Sequence, residues 1–198
     1  VLARKCQARG LSGLEWAVSV PGTLGGAIVN NAGAHGSDMA ASLCDVVVLD
    51  AERGPQMLTV AELEYGYRTS CLKQRADRRF LVLMATLALT PSDPAAILER
   101  MEHFIAYRKQ TQPPGASLGS IFKNPPGDHA GRLIEAAGLK GFRIGGAQIS
   151  PIHANFFINS GGATAADYYA LICHAQETVR QKTGVELELE VELVGERF

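Results

Sequence analysis

From Val185 to Val194 apolar and polar residues alternate without a break, with Glu186, Glu188, Glu190 and Glu192 on one face and Val and Leu on the other. Alternation of period two over this length predicts a strand with one buried and one wet face. By that pattern the carboxylates are equivalent, a row of like charges eased by solvent. Further strands are expected at Leu43 to Leu49, Gln56 to Val60 and Phe80 to Leu89, rich in Val and Leu and separated by turn residues such as Glu52-Arg-Gly-Pro55. His153 to Asn159 reads as another, and Gly138 to Ile149 as a turn leading into a strand. Helical spacing takes over elsewhere. Asp93 caps and Pro94 opens a helix whose stripe is Ile97, Met101, Phe104 and Ile105, ending near Lys109. His129 to Ala137 is a shorter helical pattern, and Thr164 to Lys182 a long amphipathic one that stops before Gly184. Val1 to Gly10 reads as the end of a helix, with Arg4, Lys5 and Arg9 in its last turns and Gly10 as the cap. The mixture is an α+β chain.

Composition narrows the classes. The 198 residues suffice for one large domain or two modest ones with a real core. An apolar content of 46% and a net charge of −1 describe an ordinary globular chain, and its scattered basic residues leave no nucleic-acid footprint. No apolar run approaches membrane-spanning length, and the first residues lack the layout of a signal peptide. Cys6, Cys44, Cys71 and Cys173 stand far apart with no C-x-x-C pair, which suits thiols in a reducing compartment. The histidines show no i, i+4 pairing, so no protein-held metal is expected.

Three stretches carry candidate chemistry. Gly119-Ser-Ile-Phe-Lys-Asn-Pro125 follows the break Gln112-Pro-Pro-Gly-Ala and gathers a hydroxyl, an ammonium and an amide, or is only a tight connection satisfying its own backbone. Pro125 and Pro126 stop any ladder there, having no N–H to donate. Around Pro21-Gly-Thr-Leu-Gly-Gly26, a turn leads into a short helix that Thr23 can cap. Glycines at a helix start let backbone N–H groups approach a phosphate, although a tight packing contact needs the same residues. No lysine stands at the position a nucleoside-triphosphate loop requires. Tyr65-Gly-Tyr-Arg-Thr-Ser-Cys-Leu-Lys73 is either a solvated loop or an amphipathic wall for a planar ring or a carboxylate.

Together these stretches resemble the bacterial UDP-N-acetylenolpyruvoylglucosamine reductases, flavoenzymes of cell-wall precursor synthesis. Five motifs in the family's order carry the resemblance from about Gly13 to Gly195. They are P-G-T-x-G-G-A…N-A-G at Pro21 to Gly33, Y-R at Tyr67-Arg68, G-S-x-F-K-N-P, G-L-K-G…G-G-A…H-A-N at Gly138 to Asn155, and E-V-x-x-V-G at Glu190 to Gly195. The H-A-N form and the short gap between Leu89 and the G-S motif resemble the family's shorter branch. Where the family usually has tyrosine this chain has His35, a swap expected to be tolerated.

The resemblance implies an FAD site lined by Pro21, Gly22, Thr23, Gly25, Gly26, Asn31 and Gly33, and a catalytic trio of Arg68, Ser120 and Glu190. It implies substrate contacts at Gln112, Asn124, His153 and Asn155, NADPH as hydride donor, a small UDP-sugar as partner, and a cytoplasmic monomer. It also implies a domain plan: residues 1–113 as part of an FAD-binding region, 114–184 as a substrate domain, and 185–198 as a strand returning to the active site. The family has a further Gly- and Asn-bearing loop around the FAD diphosphate that these residues do not contain. Two other classes stay open: a non-catalytic remnant that binds a nucleotide sugar without flavin, and another FAD oxidoreductase of the same broad fold.

Overall fold

The computed structural model describes residues 1–195. The chain forms two compact units, Val1–Tyr107 and Arg108–Phe198. The division falls inside a helix, six residues before Pro113.

In the first unit the order is α1 (Leu2–Gln7), β1 (Leu11–Ser12), α2 (Leu24–Val29), β2 (Gly33–Ala34), β3 (Ser37–Asp38), β4 (Leu43–Asp50), β5 (Gly54–Thr59), α3 (Cys71–Gln74), β6 (Phe80–Leu87), β7 (Thr90–Pro91) and α4 (Pro94–Thr111). The three expected strands pair antiparallel in the order β5-β4-β6. Val46 and Val48 of the central strand are buried with Trp16, Ile28, Met39, Leu63, Ile97 and Met101, so the core gathers one face of β4 and the stripe of α4. Asp93 caps α4 as expected, its Oδ1 accepting from Ala95 N–H at 3.0 Å. α1 is shorter than the sequence suggests; Ala8 is its C-cap, and Gly10, at φ +65°, turns the chain beyond it.

Among the buried polar groups of this unit is a carboxylate close to the core. Glu15 is buried, and accepts from Ser12 Oγ at 2.7 Å, Gly13 N–H at 2.8 Å and Arg100 Nη2 at 2.6 Å. Burial disfavours its charge, but the bonds from Arg100, Ser12 and Gly13 outweigh burial and bring its pKa from 4.5 down to about 2. A carboxylate depressed on folding adds stability that is full above its unfolded pKa and disappears as pH falls through the folded one. Glu15→Gln is therefore expected to lower stability at pH 7 by roughly 1–2 kcal/mol. The gap from the parent should close between pH 4.5 and about 2. Urea unfolding across that range checks it; a pH-independent gap would mean that shape, not charge, is what Gln alters.

In the second unit the order is β8 (Ser117–Ser120), α5 (Ala130–Ala136), β9 (Arg143–Ile144), β10 (Ala147–Ile149), β11 (Phe156–Asn159) and α6 (Ala165–Thr183). The strands form an antiparallel sheet in the order β8-β11-β10-β9. α6 packs on β9, β10 and α5, burying Leu171, Ile172, Ala175 and Val179 with Phe122, Ile134 and Phe157. Its ends follow the sequence closely. Thr164 and Asp167 form a capping box, and Gly184 closes the helix in the left-handed conformation at φ 74°. Gly145 and Gly146, inside the G-G-A motif, press against Asp167 and the Ala163 backbone, where any side chain would overlap. That motif packs two elements together.

Two strand expectations are corrected. His153–Asn155 is a turn closed by Phe156 N–H on the His153 carbonyl at 2.9 Å, so the strand starts only at Phe156. The terminal run makes no regular strand among the described residues, only a single antiparallel bridge between Phe122 and Leu189. Glu190 N–H and Val191 N–H both converge on the Ile121 carbonyl, at 2.8 and 3.4 Å, and the chain bends there. Alternation ends with the bend. Leu187 is buried, whereas Leu193 and Val194 are exposed. The segment lies with the second unit's core, where Val185, Leu189 and Val191 are partly buried.

Candidate active site

In the second unit a cleft of about 320 Å³ is lined by Ser120, Asn124, His129, Gly131, Arg132, Glu135 and the turn Ile152–Asn155. Four residues singled out from sequence therefore meet: Ser120, Asn124, His153 and Asn155. Ser120 ends β8 opposite Phe156 of β11, so the sheet fixes its backbone. Asn124 follows the Lys123 step, and its Oδ1 accepts the Ala130 N–H at 3.1 Å, capping α5 from across the Pro125-Pro126 turn. His153 is half-buried, and burial pushes its imidazole below the ordinary range. Its Nδ1 accepts the Asn155 N–H at 3.2 Å, which assigns the ring proton to Nε2 and leaves a donor for an anionic or carbonyl ligand. Gly131 makes room for that ring: a Cβ there would stand 3.1 Å from His153 Cε1. Sequence reasoning missed Gly131, because a glycine inside a helical pattern gives no sign of what it faces.

Glu190 is tied to the same region by its backbone. Its N–H bonds to Ile121, the residue after Ser120, and it is half-buried, whereas Glu186, Glu188 and Glu192 are exposed. Glu188 pairs with the Lys123 ammonium. The terminal carboxylates are thus unequal in structure although equal in pattern. Gln112 lies just after α4, its N–H on the Arg108 carbonyl at 2.9 Å, and is not among the residues lining the cleft.

The remaining candidates belong to the first unit. Pro21, Gly22, Thr23 and Leu24 are exposed at the start of α2, where Thr23 Oγ1 accepts the Gly26 N–H at 3.1 Å. Gly22 has φ +111°, and a Cβ on it would meet nothing within 4 Å. Bare backbone entering a capped helix turn suits the approach of a diphosphate. Pro21, Gly22 and Thr23 also line a cavity of about 100 Å³ with Leu14, Trp16 and Met39.

Asn31 and Gly33 have another setting. Asn31 is buried, its amide donating to the Gly66 carbonyl at 3.0 Å and to Asp38 at 3.3 Å while accepting from Ala40 N–H at 3.0 Å. A Cβ on Gly33 would stand 2.7 Å from the Ser37 carbonyl. Arg68, at φ +56°, donates from Nη2 to the Gly33 carbonyl at 2.7 Å. Its loop is held at several points rather than freely solvated. Tyr65 Oη donates to the Ile28 carbonyl at 2.9 Å, Ser70 Oγ to the Val29 carbonyl at 2.6 Å, and Lys73 to the Asn30 side chain. The loop is thus tied to the last turn of α2 at the Ile28 and Val29 carbonyls and at the Asn30 side chain, which seats Arg68 against the glycine segment. His35 stacks on Phe104, ring centroids 4.2 Å apart.

Comparison with known proteins shows the family. The description "UDP-N-acetylenolpyruvoylglucosamine reductase, C-terminal domain" matches residues 110–194. The reductase of that name from Synechococcus sp. (strain JA-3-3Ab) is 50% identical over 196 residues, which are 98% of this chain and 62% of that protein. The one from Bacillus subtilis (strain 168) is 45% identical over 195 residues, 98% of this chain and 64% of that protein. The crystal structure of UDP-N-acetylenolpyruvylglucosamine reductase (MurB) from Thermus caldophilus superposes with a TM-score of 0.84 at 39% identity, over 96% of this chain and 67% of that one. The chain belongs to the UDP-N-acetylenolpyruvoylglucosamine reductase family. It spans 62 to 65% of the length of the curated relatives it matches.

Proposed function

We propose that this chain serves the reduction of UDP-N-acetylglucosamine enolpyruvate to UDP-N-acetylmuramate, a step of peptidoglycan precursor synthesis, in the cytoplasm and as a monomer. The observation that carries the reading is the cleft of the second unit, where Ser120, Asn124 and His153 meet and Glu190 is bonded one residue from Ser120. In this reading the second unit holds the UDP-sugar and the first holds FAD. The exposed turn Pro21-Gly22-Thr23 and the opening of α2 at Gly25 and Gly26 would take the FAD diphosphate on backbone N–H groups. Asn31 and Gly33 would shape that segment from behind, and bind through it.

Bound FAD, reduced by NADPH, would supply a hydride to the terminal vinyl carbon of the enolpyruvyl group. This chain's residues then handle the charge and the proton. Electron density displaced from the double bond would collect on the neighbouring carbon and its carboxylate, where a guanidinium, the role the resemblance gives Arg68, would stabilise it and Glu190 would assist. Ser120 Oγ–H delivers the proton to that carbon, completing the new C–H bond, and its oxygen is reprotonated from solvent. Asn124 and the Nε2–H of His153 orient the sugar nucleotide in the cleft.

The test is turnover by the FAD-loaded enzyme. NADPH oxidation is expected to depend on UDP-N-acetylglucosamine enolpyruvate and to yield one UDP-N-acetylmuramate per NADPH. Oxidation of NADPH by other electron acceptors, with no turnover of this substrate, would instead assign the chain to a different FAD oxidoreductase. Sugar-nucleotide binding with no flavin chemistry at all would leave a binding remnant.

A further inference from the structure

We propose that Asn155 is a positioning residue that holds Ser120 and Glu190 in register through the backbone of Ile121 and Phe122. The idea rests on the reading of those two side chains as the groups that serve the substrate carbon. Resemblance alone would turn Asn155 toward the sugar nucleotide. Its hydrogen bonds turn elsewhere. Oδ1 accepts the Phe122 N–H at 3.0 Å, Nδ2 donates to the Phe122 carbonyl at 2.8 Å, and the Asn155 carbonyl accepts the Ile121 N–H at 2.9 Å.

The bridge between Phe122 and Leu189 explains why an amide is needed there. The bonds around that bridge run from Lys123 N–H to the Glu188 carbonyl and from Glu190 N–H to the Ile121 carbonyl, each 2.8 Å. In such an antiparallel pair the N–H and C=O of the central residue face away from the partner segment. Those of Phe122 therefore point to the other side, where among the described residues no strand pairs with them. Phe122 is fully buried, so water is no substitute. The carboxamide of Asn155, itself only 3% exposed, takes the place of a neighbouring strand by presenting one acceptor and one donor to a single residue.

The Ile121–Phe122 pair is thereby gripped from two sides, by Asn155 and by the terminal segment. Ser120 is the residue before the pair, and Glu190 is anchored on it. A shift in the grip moves one side chain relative to the other, and displacements of about 1 Å in a catalytic constellation cost up to 100-fold.

Asn155→Asp tests this, since it keeps the shape and the acceptor but sets an oxygen against the Phe122 carbonyl. In the FAD-loaded enzyme, turnover of the enolpyruvyl substrate is expected to fall by about tenfold or more, by the same positional argument. Reduction of the flavin by NADPH should stay within about twofold and calorimetric affinity for UDP-N-acetylglucosamine enolpyruvate within about threefold, as for a loss confined to the transition state. Amide hydrogen exchange at Ile121 and Glu190 should accelerate, a readout of the grip that needs no catalysis. A large loss of affinity with unchanged turnover would make Asn155 a ligand contact and overturn the proposal. Equal slowing of both half-reactions would reduce it to a fold residue and overturn it too. If Ser120→Ala and Glu190→Gln show no selective defect, the functional reading fails, while faster exchange at Glu190 in Asn155→Asp still upholds the grip. Should the aspartate variant not fold, Asn155→Ser, which shortens the side chain without adding a charge, carries the same measurements.

Discussion

Alanine in place of Ser120 is expected to leave reduction of bound FAD by NADPH within about twofold and to slow turnover of the enolpyruvyl substrate by on the order of 100-fold or more. The asymmetry follows from what a hydroxyl can do. Serine is a weak acid, so its Oγ–H is useful only to a strongly basic partner. Such a partner arises only once negative charge has formed on the substrate carbon. Nothing in the reduction of the flavin calls for that proton. Structure makes the substitution a clean one, because the Ser120 backbone is held in β8 opposite Phe156 whatever its side chain. Stopped-flow traces of the two half-reactions decide the matter. Equal slowing of both would take Ser120 out of the proton step and leave it a wall of the cleft.

The parts of the fold that read directly from sequence are those whose signal is local. The ends of α6 are written in Thr164, Asp167 and Gly184, and the start of α4 in Asp93 and Pro94, since a cap and its helix lie within four residues of each other. β4 and β6 are readable because runs of Val and Leu of that length suit a half-buried sheet. The terminal run misled because alternation records which residues prefer burial and does not record which backbone groups find partners. Two N–H groups competing for the single Ile121 carbonyl bend it, and that carbonyl lies some seventy residues away in sequence.

The candidate site divides along the same line. Ser120, Asn124, His153 and Asn155 were singled out by resemblance, and the structure places them around one cleft. Resemblance could not separate residues that face a ligand from residues that build the wall. Asn31 and Gly33 are expected to line the FAD site, and Gly145 and Gly146 sit in a motif beside residues expected to bind; the structure engages all four in close packing or internal hydrogen bonds. The Tyr65–Lys73 loop shows the reverse case. Its polar side chains look available in sequence, but Tyr65, Ser70 and Lys73 are tied to the last turn of α2 and so fix where Arg68 begins. Only the tertiary partner tells such residues apart.

Glu190→Gln is expected to lower turnover by on the order of 100-fold or more, while Glu186→Gln, Glu188→Gln and Glu192→Gln stay within a few-fold of the parent. Sequence pattern offers no basis for the distinction, since all four alternate with apolar neighbours. Structure offers two. Glu190 is half-buried where its neighbours are exposed, and it stands at the bend anchored on Ile121, next to Ser120. Glu188 is the sharpest control, because it too has a specific partner, the Lys123 ammonium. With its side chain 72% exposed, that pair is worth little to stability, as surface ion pairs generally are. Exposed Glu→Gln changes usually move stability by no more than about 0.5 kcal/mol, so a general loss of fold would not imitate the pattern. A group that acts on charge developing in the transition state should lower kcat with little change in KM. Steady-state assays of the four variants in the FAD-loaded enzyme settle it. Four equal and mild phenotypes would mean that the terminal segment only braces the second unit's core, through Leu187 and its neighbours.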